Sequence, residues 1–162
     1  MGFKIEITQQ GINKNGREYI TITVPLATDP KKPNVNGLKY DLDSHGAAVL
    51  NFMHGDIQPV LTMECQELLT TFAAQLTIDP YKIIGKIDNI HFGDQLYMTV
   101  DVDPAMTQLV KDIINNEPYF PYYAGARMIA KIANPGTKEL HIGKIICYDL
   151  VTVSNREGEW KQ

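Results

Sequence analysis

"NNEPYFPYYAGARMIAKIANPGTKELHIGKIICYDLVTVS", residues 115–154, contains two runs rich in Ile, Val and Tyr. Such enrichment predicts a pair of strands. The first run is interrupted by Ala124-Gly125-Ala126, and Arg127 follows at once. Small residues inside a strand let another group approach the backbone. A permanent cation placed directly after them suggests a site. The bland alternative is a β-bulge or a close backbone crossing.

Working outward, "PAMTQLVKDIINNE" (104–117) predicts a helix. Pro104 suits its first turn, and Met106, Leu109, Val110 and Ile113 make an apolar stripe. "DPYKIIGKIDNIHF" (79–92) and "QLYMTVDVD" (95–103) predict strands about a Gly93-Asp94 turn. "ECQELLTTFAAQL" (64–76) predicts a helix from the spacing of Leu68, Leu69, Phe72 and Leu76. "LDSHGAAVLNFM" (42–53) predicts a short helix capped by Asp43 or Ser44, and "IQPVLTM" (57–63) a short strand. Near the N-terminus "FKIEIT" and "EYITITVPLA" flank the Asn-Gly turn of "NKNG" and predict a hairpin. Residues 28–39 predict a surface loop. With six or seven strands, mostly in hairpins, and about three helices, the class is α+β, with an antiparallel sheet or small barrel and flanking helices. Residues 1–154 form one domain, and 155–162 are a polar tail.

The chain has 162 residues, 44% of them hydrophobic and 21% charged, with a net charge of -4. That composition fits a globular domain with a real core. The charge and the lack of a basic stripe argue against nucleic-acid binding, and no apolar run approaches a membrane span. The N-terminus alternates like a strand and has no signal-peptide pattern. Cys65 and Cys147 form no CxxC pair and read as buried thiols. His45, His54, His91 and His141 lack metal-ligand spacing, so no metal is expected. "NKNGREY" (13–19) and "NVNGLKY" (34–40) share Asn-x-Asn-Gly-x-x-Tyr, which reads as two turns, each with a packed tyrosine.

The order of elements over 80–154 resembles the core of the tailed-phage prohead maturation proteases, whose fold is similar to that of the herpesvirus assemblin proteases. The resemblance is carried by Ile83-Gly85-Ile87, Leu96-Tyr97, Leu109-Val110-Ile113, Arg127 and "YDLVTVS" (148–154). "NVNGLKY" is similar to the family's Asn-x-Asn-x-Arg-x-Tyr motif, with Leu38 where the Arg belongs.

The resemblance implies a herpesvirus-protease-like, barrel-like sheet and serine-type hydrolysis of capsid or scaffold proteins. It places the nucleophile at Ala124, Gly125 or Ala126, none of which has a hydroxyl. His54 is the candidate base and Arg127 the candidate oxyanion support, while Asp149 and His141 are weaker candidates for a third member. Serine catalysis needs a nucleophile, a base and oxyanion donors together. Cys147 in "KIICYDL" is expected to be inert. The sequence therefore favours a non-catalytic relative with an auxiliary role in the phage head, or a protease whose nucleophile has been replaced. An unrelated α+β binding module is the remaining alternative. Tyr119, Phe120, Tyr122 and Tyr123 in "EPYFPYY" are the candidate contact surface. Expected partners are capsid or scaffold proteins, and a homo-oligomer is allowed. Nucleic acid, membrane and cofactor are not expected. The expected location is the virion head, and the host cytoplasm during assembly.

Overall fold

Two copies of one local motif shape the N-terminal third. The computed structural model describes residues 4–34, 36–116 and 121–152. In it the Asn13 side chain accepts from the backbone N–H groups of Asn15 and Arg17, at 2.9 and 3.0 Å. Asn34 does the same for Asn36 and Leu38, again at 2.9 and 3.0 Å. Each loop ends on a glycine in the left-handed region, Gly16 at φ 78° and Gly37 at φ 76°, where a Cβ would be strained. The sequence repeat is thus a repeated side-chain-stabilised turn.

The first turn joins strands β1 (Glu6–Ile12) and β2 (Glu18–Pro25) into the expected hairpin. The second leads into β3 (Lys39–Tyr40) and helix α1 (Leu42–His54). The helix cap is Asp41, two or three residues before the expected Asp43 or Ser44; its carboxylate accepts from the Ser44 backbone N–H at 3.3 Å. Ser44 instead turns inward, and its hydroxyl accepts from the Ile142 backbone at 2.9 Å.

After α1 come β4 (Val60–Thr62), β5 (Ile83–Phe92), β6 (Leu96–Val102), helix α3 (Thr107–Asn116), β7 (Tyr123–Ile132) and β8 (Glu139–Val151). The predicted continuous helix over 64–76 is broken. A 3-10 turn spans Gln66–Leu68, and only Phe72–Leu76 forms a short helix, α2, capped by Thr71. Its apolar spacing is present, but Leu68 and Phe72 are exposed rather than packed. Two β-branched threonines, Thr70 and Thr71, separate the pieces, and Thr71 serves better as a cap than as a helix interior.

The sheet order is β1-β2-β6-β5-β4-β8-β3, with β7 on the other side of β8. Among the described residues the architecture is therefore a mixed α+β fold with an eight-stranded sheet and three α-helices. It is not purely antiparallel, because β3 and β4 both pair parallel to β8. One further contact joins the residues just after β2 to β7. Ala27 donates its backbone N–H to the Ala124 carbonyl at 2.9 Å, and Leu26 bridges Ala124 in parallel. The core fills with Ile20, Ile22, Val24, Leu61, Ile84, Ile87, Met98 and Val100, all at or below 1% exposure. Gly85 lets two backbones meet, since a Cβ there would lie 2.2 Å from the Asp101 carbonyl oxygen.

Candidate functional site

The row that matters runs across β4, β8 and β7. Thr62 stands opposite Asp149, and Asp149 opposite Gly125. Side chains alternate along a strand, so Gly125 and Arg127 share one face of β7, and Ala124 and Ala126 share the other. Cys147, opposite Arg127, and Asp149 share the Arg127 face of β8.

On that face Arg127 reaches diagonally to Asp149. Its Nε donates to Oδ2 at 3.0 Å and its Nη2 to Oδ1 at 2.7 Å. Nη2 also donates to Glu64 Oε2 at 2.6 Å. Nη1 donates to the backbone carbonyls of Thr77, at 2.9 Å, and Gln75, at 3.4 Å. A guanidinium has five N–H donors, and here all five are used. Burial pushes the Arg127 pKa down, but the bonds to Asp149 and Glu64 more than offset this and the net shift is upward. Arg127 is 6% exposed and Asp149 fully buried.

Asp149 is equally committed. Besides Arg127 it accepts from the Thr62 hydroxyl, from Gln66 Nε2 at 2.9 Å and from the Cys147 thiol at 3.5 Å. The Thr62 oxygen accepts in turn from the Glu64 backbone N–H at 3.1 Å. This arrangement bears on two sequence expectations. Arg127 has no donor left for an oxyanion, and the partners of Asp149 are Arg127, Thr62, Gln66 and Cys147 rather than a histidine. What the cluster does chemically is to hold two carboxylates and a guanidinium in a satisfied buried network.

The remaining candidates do not gather at Ala124–Ala126. His54 ends α1 on its exposed side. It lies two residues past the buried Phe52, roughly 200° around the helix from the face that packs inward. It does not line the cavities formed by Ala124, Gly125 or Ala126. His141 pairs with Lys131, whereas Ala124 pairs with Leu150 at the opposite end of the ladder. Nine residues of strand put His141 roughly 30 Å from that end. Its Nδ1 is 3.8 Å from Asp41 Oδ2, at the head of α1.

The histidine that does share a small cavity with Ala124 and Ala126 is His45, which no motif in the sequence singles out. It is buried, stacked on Tyr40 with centroids 5.9 Å apart, and edge-on to Phe92 at 5.3 Å. Burial lowers its pKa and favours the neutral ring. A larger cavity of about 420 Å³ is lined by Gly125, Ala126, Glu64, Cys65 and Gln66 among others. Cys65 is exposed there, contrary to its expected burial. Cys147 is buried, and burial with the Asp149 carboxylate pushes its thiol pKa up, which favours the neutral thiol. Of the aromatic surface residues, Tyr122 is half-buried against the core and Tyr123 begins β7. Tyr119 and Phe120 lie outside the described residues.

Comparison with solved structures places the fold. The chain superposes on the bacteriophage T4 capsid assembly protease, gp21, with a TM-score of 0.62. The match covers 93% of this chain and 92% of the protease, at 14% sequence identity. The two share a fold. No protein-family model matches the sequence, and no curated protein matches it. No helix among the described residues is long and apolar enough to cross a membrane.

Proposed function

We propose that the chain is a phage-head protein that keeps the frame of an assembly protease without its catalysis, and serves a structural or auxiliary role on capsid or scaffold proteins. In this reading the fold is herpesvirus-protease-like, and the Leu26–Ala124 bridge is the point where the sheet closes as a barrel-like unit. The chain acts in the host cytoplasm during assembly and in the virion head. The observation that carries the reading is the state of Arg127. Its five donors are consumed by Asp149, Glu64, Gln75 and Thr77, beside three residues that have no hydroxyl. A nucleophile, a free base and free oxyanion donors are the minimum for acyl transfer, and the described residues around Ala124–Arg127 do not bring the three together.

The test is incubation of the purified chain with assembling heads and their scaffold, followed by sedimentation and mass spectrometry of every component. Co-sedimentation with heads and intact capsid and scaffold chains are expected. New N-termini in those proteins that require this chain would instead make it a protease. Absence from heads at all stages would leave it an unrelated binding module.

A further inference from the structure

The Arg127 network is closed in hydrogen bonds around Arg127 and Asp149, but it is not closed in charge. Two carboxylates, Glu64 and Asp149, share one guanidinium. Among the described residues no other cation lies within 4 Å of either acid. One negative charge is left over, and a charge held away from water is costly unless a counter-charge reaches it. Asp149 is sealed at 0% exposure, with bonds to both oxygens. Glu64 is the outlet. Its side chain is 11% exposed, and among the described residues only its Oε2 is engaged, by Arg127.

Glu64 lines the cavity of about 420 Å³, and Gln66 stands in the same wall. Gln66 Nε2 donates to Asp149 at 2.9 Å and to the Gly125 carbonyl at 3.3 Å, so the oxygen end of its amide is the end left for a ligand. The described lining holds no lysine, arginine or histidine, and much of the rest is apolar: Ala27, Met63, Met128, Leu150 and Val151. Free acceptors, a spare negative charge and apolar walls suit a cation on an apolar stem. The geometry tells three cations apart. A calcium ion takes six or more oxygens, and no group of three His, Cys, Asp or Glu among the described residues could hold a metal ion. A guanidinium docks best on both oxygens of one carboxylate, and Arg127 already occupies Glu64 Oε2. An ammonium has three donors that turn to separate acceptors, and Glu64 Oε1 and Gln66 Oε1 supply two. We propose that this cavity is a binding pocket for a primary alkylammonium group, as a lysine side chain presents it, with the nitrogen on Glu64 and Gln66 and the methylenes along Met63, Met128 and Leu150. The inference rests on the proposed function only for the source of such a lysine, a capsid or scaffold protein.

The test reads the protection of Cys65, exposed in the same cavity, against iodoacetamide, an uncharged reagent. Nα-acetyl-lysine N-methylamide is titrated into the full chain, and labelling is followed by peptide mapping. It should slow the labelling of Cys65 to a saturable limit. The Nε-acetylated probe has the same stem without the charge and should bind about tenfold more weakly or worse, the loss expected for a charge-assisted hydrogen bond. Glu64→Gln keeps an acceptor for Arg127 and should stay folded by circular dichroism, yet lose the preference for the charged probe. Butylammonium separates the two sources. Binding weaker than that of the lysine amide assigns the pocket to a polypeptide lysine, and binding as tight assigns it to a free amine. No saturable protection by either amine would overturn the inference. So would equal protection by the acetylated probe or by the arginine counterpart, or a charge preference that survives Glu64→Gln. The comparison of probes on the unaltered chain needs no variant. None of these readings involves phage heads, so the pocket and the proposed function fail separately.

Discussion

Arg127 and Asp149 form a two-point ion pair with both side chains buried, Nε to Oδ2 at 3.0 Å and Nη2 to Oδ1 at 2.7 Å. The geometry is the parallel fork that a guanidinium makes with a carboxylate. Removing the cation leaves Asp149 and Glu64 facing each other without compensation. Arg127→Met is therefore expected to cost about 3–5 kcal/mol, the usual penalty for orphaning a buried charge. Arg127→Lys should recover only part of this, because an ammonium cannot match the fork or reach the Thr77 and Gln75 carbonyls at the same time. Urea denaturation of the two variants measures both effects. A loss below about 1 kcal/mol for Arg127→Met would mean that the network relaxes freely and does not hold the site.

The two thiols should differ sharply in reactivity. Cys65 is exposed at the cavity of Gly125 and Ala126. Cys147 is buried and its thiol pKa is driven up by burial and by Asp149. Only the thiolate reacts, so an alkylating reagent at neutral pH should modify one cysteine in the folded chain and both in denaturant. Peptide mapping that found Cys147 labelled as fast as Cys65 under native conditions would contradict the packing around Arg127.

His45 gives stability a pH dependence with a definite sign. Its folded-state pKa lies below the ordinary value of 6.5 because burial disfavours the cation. The unfolded chain therefore binds the proton more readily. The contribution of His45 is complete above pH 6.5 and is lost as pH falls from there toward the folded-state value. The slope from one such group is at most about 1.4 kcal/mol per pH unit. Its position in the first turn of α1, at the positive end of the helix dipole, works in the same direction. His45→Phe keeps an aromatic ring against Tyr40 and should flatten the urea midpoint between pH 5 and pH 7. An unchanged profile in that variant would assign the dependence to other groups.

Much of the frame was legible in the sequence, and the reasons are local. The β1–β2 hairpin follows from an Asn-Gly turn, the β5–β6 pair from alternation around Gly93-Asp94, and α3 from its apolar stripe behind Pro104. The site was less legible, because it is made by pairings far apart in the chain. Nothing in "PVLTMECQ" announces that Thr62, Glu64 and Gln66 will meet Asp149 and Arg127; that depends on β4 lying parallel to β8. The difference between the histidines has a separate cause, their phase on α1. His54 stood out by its motif, yet helix phase turns it to solvent and carries His45 inward.

Restoring a hydroxyl tests the functional reading at three neighbouring positions with different packing. Ala126 is half-buried beside an open cavity, so Ala126→Ser should change stability by about 0.5 kcal/mol or less. A Cβ at Gly125 would sit 3.1 and 3.3 Å from the two methyl groups of Val151, so Gly125→Ser must displace that side chain and should cost about 1–2 kcal/mol. Ala124 is 1% exposed and lines a small cavity with Leu26, Tyr148 and His45, and Ala124→Ser buries a hydroxyl at a cost of about 1–3 kcal/mol unless His45 accepts its proton. None of the three should hydrolyse capsid or scaffold proteins. Glu64 stays bound to Arg127, Arg127 has no donor to offer, and His54 faces away. Cleavage by Ala126→Ser or Gly125→Ser would show that a working base lies on that residue's side of β7 and that the chain is a protease lacking only its nucleophile. Cleavage by Ala124→Ser alone, with a pH profile that disappears in the Ala124→Ser, His45→Phe double variant, would identify His45 as that base.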